Sequence, residues 1–112
     1  MIHEMQLRDV PFRKISDGLK TIELRLNDEK RQNVKTGDFI EFSHNDYPDR
    51  KILVKVIALH HFDSFAELFN NIPKEKLGYR PEEYANPEDM NSYYSPERQS
   101  QYGVLGIEFI KH

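Results

Sequence analysis

The chain has 112 residues and no cysteine, which excludes a disulfide framework, a thiolate metal site and a cysteine nucleophile. It also lacks a run of about 20 apolar residues, the length that a helix needs to cross a bilayer. Its first residues, Met-Ile-His-Glu, do not follow the pattern of a signal peptide. We therefore expect a soluble, cytoplasmic protein without a membrane partner.

An excess of positive charge is missing too, since 16 Lys and Arg residues stand against 19 Asp and Glu residues, for a net charge of -3. Domains that coat nucleic acid by bulk attraction are usually strongly basic. The composition therefore argues against that mode of binding, and we expect no DNA partner. It leaves room for a local basic site.

The common catalytic and metal-binding motifs are absent: there is no Gly-rich phosphate loop, no G-x-S-x-G and no H-E-x-x-H. His60 and His61 are adjacent on a predicted strand, so their side chains point to opposite faces and do not chelate one ion together. His44, beside Asn45 and Asp46, is interpreted as a loop residue. The sequence predicts neither a metal nor a cofactor.

Alternating apolar and polar residues predict about five strands, and the clearest alternation covers Thr21–Leu26. The other predicted strands are a short one around Met5–Leu7, then Phe39–Ser43, Lys51–His60 and Val104–Ile110. Lys51–His60 is apolar on both faces over much of its length, which indicates a largely buried strand. The alternation predicts one shared core of Ile22, Leu24, Ile40, Phe42, Val54, Val56, Ile107 and Phe109.

Turn and capping signals predict short helices between these strands. They lie near Pro11–Asp17, between Ser64 and Pro73, and between Ser95 and Gly103. Residues 73–92 contain three prolines and several acids, which indicates a long ordered loop with short helical turns, or a mobile flap. The whole pattern favours one α+β domain over residues 1–112, built as a small, mostly antiparallel barrel with helices packed around it.

The most informative segment for chemistry surrounds the strand that starts at Thr21. Alternation places Glu23 and Arg25 on one face of this strand, with Lys20 at its start. Arg25 offers a planar fork for a phosphate or a base edge, and Lys20 offers a point charge, or a base where burial lowers its pKa. The alternative is a solvated strand face whose ion pairs contribute little to stability.

Tyrosines and acids of the later segments form a second candidate set. Tyr93, Tyr94 and Tyr102 lie in a polar region, where tyrosines either stack on bases or attach the segment to the core. Four acids belong to this set: Glu82, Glu83, Glu88 and Asp89. Solvation is their simpler role, and the alternative is that one of them is a catalytic acid.

Three motifs carry a family resemblance: Gly18-x-Lys20-Thr21-Ile22-Glu23-x-Arg25, Thr36-Gly37-Asp38-x-Ile40-x-Phe42 and Tyr102-Gly103-Val104-x-Gly106-Ile107. In their order and spacing they resemble the ASCH domain (activating signal cointegrator homology). The leading Met5-x-Leu7 with Pro11-Phe12, and the segment Tyr93–Glu97, are similar to its small stand-alone bacterial form. The resemblance implies a PUA-like fold.

The resemblance also implies that the G-x-K-T-x-E-x-R strand lines a cleft for RNA, a nucleotide or a nucleoside. The ligand-binding residues are then Lys20, Thr21, Glu23 and Arg25, with Tyr94 closing the cleft. The alternative is a small amidohydrolase- or ribonuclease-like enzyme that acts on a modified nucleoside or RNA, with Lys20 and Glu23 as its catalytic pair. In the branch that deacetylates acetylated cytidine, a threonine nucleophile lies three residues after the lysine, and that position is Glu23 here.

Overall fold

A single five-stranded sheet organises the computed structural model, which describes all residues, 1–112. The strands are β1 (Ile2–Leu7), β2 (Ile22–Leu26), β3 (Phe39–His44), β4 (Lys51–Phe62) and β5 (Val104–Lys111). Their order across the sheet is β1-β3-β4-β5-β2. Strands β1 and β3 are parallel and all other neighbours are antiparallel, which confirms the predicted mixed, mostly antiparallel α+β class.

Short helices fill the connections between the strands. They are α1 (Asp9–Ser16), α2 (Phe65–Asn71) and α3 (Pro96–Tyr102), with 3-10 turns at Arg31–Asn33, Lys74–Leu77 and Pro87–Ser92. The hydroxyl groups of Ser64 and Ser95 accept backbone N–H bonds at the starts of α2 and α3, as their capping positions predict. Of the two predicted forms of residues 73–92, the ordered loop with helical turns is observed. No helix combines the length and the apolar character that crossing a bilayer requires.

The sheet curls into a half-barrel rather than closing by backbone hydrogen bonds. A register shift between Val56 and Ala58 interrupts the pairing of β4 with β5, and such bulges bend a strand. The two edge strands, β1 and β2, approach each other, and the Arg25 side chain of β2 donates from Nη2 to the Gln6 carbonyl of β1 at 2.8 Å. We call this junction the seam.

The predicted single core is wrong, because the buried residues form two clusters on opposite faces of β5. Leu105, Ile107 and Phe109 join the first cluster, which includes Ile40, Phe42, Val54, Val56 and the inward residues of α1. Val104 joins the second, which includes Ile22 and Leu24 together with residues of α2 and of the 3-10 turns. The division arises because α2 and the 73–92 region cover the face of β2 and β5 opposite to the first cluster.

Strands β1 and β4 also differ from their predictions. Strand β1 begins at Ile2 rather than near Met5, because it pairs with β3 along its whole length. Strand β4 is less buried than its apolar sequence suggests: Val54 and Val56 are buried, whereas Lys55 and Ile57 on the opposite face are exposed. An antiparallel sheet can leave one face in water, and the apolar content of β4 does not determine whether that face is covered.

His44 is a buried residue at the end of β3, and its interpretation as a loop residue is wrong. Its side chain is 1% exposed, and its Nε2 lies 2.9 Å from Asp9 Oδ1. Its Nδ1 accepts the backbone N–H groups of Asp46 and Tyr47 at 3.0 and 3.2 Å. The parallel pairing of Leu7 with His44 extends the strand to this position, so the turn begins one residue later.

Candidate ligand cavity at the seam

Lys20, Glu23 and Arg25 form one charge cluster at the seam. The Glu23 carboxylate lies 3.0 Å from Lys20 Nζ through Oε1 and 2.9 Å from Arg25 Nη2 through Oε2. Arg25 Nε donates to the same Oε2 at 3.0 Å, and the backbone N–H of Leu24 donates to Oε1 at 3.1 Å. Both carboxylate oxygens are therefore occupied, and the cluster carries one net positive charge.

The cluster is largely removed from solvent, since the side chains of Lys20, Glu23 and Arg25 are 12%, 6% and 11% exposed. Burial of Glu23 raises the pKa of its carboxyl group, but the adjacent Lys20 and Arg25 charges outweigh burial and bring that pKa to about 2. Burial lowers the pKa of Arg25, and Glu23 reverses that effect and raises it. Glu23 and Arg25 are thus held in their charged forms at neutral pH.

Local sequence and backbone contacts explain how the cluster is assembled. Glu23 and Arg25 are two residues apart on β2, so both project from the same face of that strand. Lys20 precedes the strand, and its backbone N–H donates to the Lys14 carbonyl of α1 at 3.2 Å. The neighbouring Thr21 N–H donates to the Lys76 carbonyl at 2.9 Å. The start of β2 is thereby fixed between α1 and the 3-10 turn at Lys74–Leu77.

The cluster forms part of the wall of a cavity of about 670 Å³, which we call the seam cavity. This volume lies within the range of roughly 300–1,000 Å³ that is usual for small-ligand sites. The end of β1, helix α1, strand β2 and the 77–94 region all contribute to its walls. Its charged and aromatic lining residues are Arg8, Lys14, Lys20, Glu23, Arg25, Glu88, Asp89, Tyr79, Tyr93 and Tyr94.

Three tyrosines give the seam cavity an aromatic wall. The Tyr94 ring stacks on Phe65 with ring centroids 6.1 Å apart and an interplanar angle of 17°. Burial raises the pKa of both Tyr94 and Tyr79, so both phenols are neutral hydrogen-bonding groups near pH 7. Tyr93 is 47% exposed, and the Arg8 guanidinium lies 4.2 Å from the centre of its ring.

Four of the five residues predicted to bind ligand line this cavity: Lys20, Glu23, Arg25 and Tyr94. Thr21 is half-buried and does not line it. Tyr102, from the second candidate set, also lies outside, and its hydroxyl donates to Glu29 at 3.2 Å. Among the four candidate acids, Glu88 and Asp89 line the cavity, whereas Glu82 and Glu83 do not.

Sequence reasoning missed Arg8, Lys14 and Tyr79 as cavity residues. Lys14 Nζ donates to the Gly78 carbonyl at 2.8 Å and so connects α1 to the opposite wall. One signal pointed that way: Phe12 and Ile15 mark the buried face of α1, which places Lys14 at the margin of that face. No group of three His, Asp or Glu side chains has an arrangement that would hold a metal ion.

Comparison with known proteins gives one family and several similar folds. The family model described as "ASCH domain" matches residues 5–112. The crystal structure of hypothetical protein PH0355 is 31% identical, with a TM-score of 0.83, and the match covers 100% of each chain. The solution structure of protein PF0455 from Pyrococcus furiosus is 30% identical, with a TM-score of 0.71, over 99% of this chain and 97% of that one.

A more distant structure has the same fold. The S128A mutant of ZmASCH from Zymomonas mobilis is 12% identical, with a TM-score of 0.71, over 99% of this chain and 68% of that one. A search of the curated proteins finds no match. The family match and the curled sheet with its surrounding helices together confirm the PUA-like fold that the three sequence motifs predict.

Proposed function

This chain belongs to the ASCH domain family, whose PUA-like fold is generally linked to RNA binding, and from that membership we propose that the seam cavity binds RNA or a nucleotide. The observation that carries the proposal is the position of the Lys20–Glu23–Arg25 cluster on the wall of a nucleotide-sized cavity that also has an aromatic wall. One net positive charge and an aromatic face in the same cavity suit a phosphate and a base.

Each part of the cavity has a chemical role in this proposal. The N–H groups of Lys20 and Arg25 that Glu23 leaves free donate to a phosphate, and hydrogen bonds between charged partners are the stronger kind. The Tyr93 and Tyr94 rings offer surfaces on which a base stacks, and such stacking tolerates any base. Glu88 and Asp89 on the same cavity wall accept hydrogen bonds from ribose hydroxyls or exocyclic amines.

The geometry favours binding over hydrolysis by the Lys20–Glu23 pair. A general base has to accept a proton near neutral pH, and its catalytic pKa is best placed near the working pH. The Glu23 carboxyl has a pKa of about 2, and both of its oxygens already accept hydrogen bonds. These features support Glu23 as the anion that orients Lys20 and Arg25 rather than as a group that takes up a proton.

Calorimetric titration tests the proposal, with the four ribonucleoside monophosphates and a short single-stranded RNA as ligands. We expect Lys20→Met and Arg25→Lys each to weaken binding roughly tenfold or more, because each removes a charge-assisted donor or its bidentate geometry. Lys55→Met is the matched control, since Lys55 is exposed on β4 and does not line this cavity. Binding that responds to all three variants equally, or no binding by the wild type, would refute the proposal.

The same samples test the hydrolytic alternative. Mass spectrometry after prolonged incubation detects any base or shortened RNA released in each mixture, and any acetyl group released from acetylated cytidine incubated in parallel. Binding without products supports the proposal. Products that form with the wild type and disappear with Glu23→Gln would instead establish the hydrolase.

A further inference from the structure

A second cavity adjoins the seam cavity at Arg25. Its volume is about 610 Å³, and we call it the basic cavity after its Lys30, Arg31 and Lys51 side chains. Gln6, Arg25 and Asn45 line both cavities, so the Arg25–Gln6 hydrogen bond lies where the two meet. The two cavities therefore lie side by side across the seam, with the Arg25–Gln6 contact between them, and we call the pair the groove.

The linings of the two cavities differ in chemistry. Eight of the 19 residues around the seam cavity are hydrophobic, against one of the 11 around the basic cavity. The tyrosines that offer stacking surfaces all belong to the seam cavity. The basic cavity has no aromatic wall and offers charged and polar groups instead, which suits a sugar–phosphate backbone and not a base.

Cations outnumber acids in the lining of the basic cavity, in a protein whose net charge is -3. Arg25, Lys30, Arg31 and Lys51 stand there against Glu4 and Glu41. Glu23 and Asp28, outside this lining, pair with Arg25 and Arg31. Lys51 is paired with Glu41 at 3.2 Å, whereas Lys30 forms no ion pair.

Arg31 is also available to a ligand. It uses Nη1 to contact Asp28 at 3.1 Å, and its Nη2 makes no hydrogen bond within the protein. Lys30 thus offers an unpaired cation, and Arg31 offers the free N–H groups of Nη2 beside its ion pair with Asp28.

We infer that the ligand is a single-stranded RNA of at least two nucleotides, with one nucleotide in the seam cavity and the adjacent phosphate in the basic cavity. This inference rests on the proposed function of the seam cavity. Proteins that bind single strands combine stacking surfaces with a positive groove that follows the backbone. Here the two parts lie side by side, and Arg25 contributes to both. A free mononucleotide fills the seam cavity alone and leaves Lys30 without an anion.

An oligonucleotide length series tests this inference directly. Calorimetry compares uridine monophosphate with oligouridylates of two, three and six nucleotides, on the wild type, Lys30→Glu and the control Lys55→Glu. Both variants reverse one exposed lysine charge, so their effect on net charge is identical. We expect wild-type affinity to rise roughly tenfold or more from one nucleotide to three, and Lys30→Glu to remove most of that gain. Uridine monophosphate should bind Lys30→Glu and the wild type equally well.

The outcomes separate this inference from the proposed function. If Lys20→Met abolishes binding of uridine monophosphate but affinity does not rise with length, the seam cavity binds nucleotides and the inference is wrong. The inference is also wrong if Lys30→Glu and Lys55→Glu weaken trinucleotide binding to the same extent. Loss of the length-dependent gain in Lys30→Glu alone supports it. Lys51→Gln, which removes the second exposed lysine of this cavity, should then reduce the gain in part.

Discussion

Glu23 determines the electrostatics of the seam cavity although it carries the sign opposite to that of the expected ligand. Without its carboxylate, Lys20 and Arg25 would be two like charges in a largely buried site, and burial of unpaired charge is costly. With it, both cations keep fixed positions and retain a net charge of one for an incoming phosphate. Glu23 therefore acts on a ligand through the side chains that it orients.

The depressed pKa of Glu23 predicts a specific loss of stability in acid. Because this pKa is about 2 in the folded protein against 4.5 ordinarily, ionised Glu23 stabilises the fold above pH 4.5, and this contribution is lost as the pH falls toward 2. At roughly 1.4 kcal/mol per pKa unit, the loss is about 3 kcal/mol. Glu23→Gln cannot titrate, so its free energy of unfolding should lack this component of the pH dependence. Urea unfolding of both proteins between pH 6 and pH 2.5 measures the difference.

Other acids also titrate in this range, and an exposed glutamate provides the control. Glu97 lies on α3 and forms no ion pair, so Glu97→Gln should follow the wild-type curve in shape. If Glu23→Gln and the wild type lose stability in parallel between pH 6 and pH 2.5, the ion pairs of Glu23 do not persist in solution.

At the scale of elements, the turn at Gly78 brings the 77–94 wall against α1 and the start of β2. Gly78 has a φ of 96°, and a Cβ there would lie 3.1 Å from Lys14 Cδ and 3.3 Å from Lys20 Cβ. We therefore expect Gly78→Ala to lower the free energy of unfolding by about 1–2 kcal/mol, because a residue with a Cβ is strained in the left-handed backbone conformation. The variant should also weaken nucleotide binding several-fold, a loss of roughly 1 kcal/mol in binding free energy, because the new Cβ displaces Lys20.

Gly37 provides a matched control for this prediction. Its φ of 94° is nearly the same, but a Cβ there meets nothing within 4 Å, and the residue lies outside both cavities. Gly37→Ala should lose similar stability in urea unfolding while its nucleotide affinity in calorimetry stays at the wild-type level. Equal losses of affinity in the two variants would show that backbone strain alone, and not the contact with Lys20, disturbs the cavity.

Elements defined by local patterns were predictable, and those defined by packing were not. Alternation at Ile22, Leu24 and Leu26 and the serine caps of α2 and α3 are local signals, and the structure has the predicted elements there. The strand end at His44 and the division of the core depend on which element packs against which, information that no short window contains. The same holds for the site. Lys20, Glu23 and Arg25 share one segment, whereas Lys14 and Tyr79 reach it because α1 and the 77–94 region pack against each other.

At the scale of the whole molecule, the negative net charge and the basic groove coexist because salt limits the range of each charge. The Debye length is about 8 Å at physiological ionic strength, while the molecule extends 34 × 32 × 26 Å. Acidic groups on distant surfaces are therefore screened from the groove. The local cations, above all the unpaired Lys30 and the Lys20–Glu23–Arg25 cluster with its net charge of one, govern contact with a phosphate. The distant charges still slow the approach of an anionic ligand at low salt.

This balance predicts a shallow dependence of RNA binding on salt. Each phosphate neutralised on a single strand contributes about -0.7 to the slope of log affinity against log salt concentration. The groove offers about two phosphate contacts, one in each cavity, so the slope for a hexanucleotide should be about -1.4. Lys30→Gln should make it shallower by about 0.7, and Lys55→Gln should leave it unchanged. Titrations between about 50 and 300 mM salt, over which the Debye length shortens as the salt concentration rises, measure all three slopes. A wild-type slope beyond about -4 would require more phosphate contacts than the two cavities contain, and the RNA would then follow another surface of the protein.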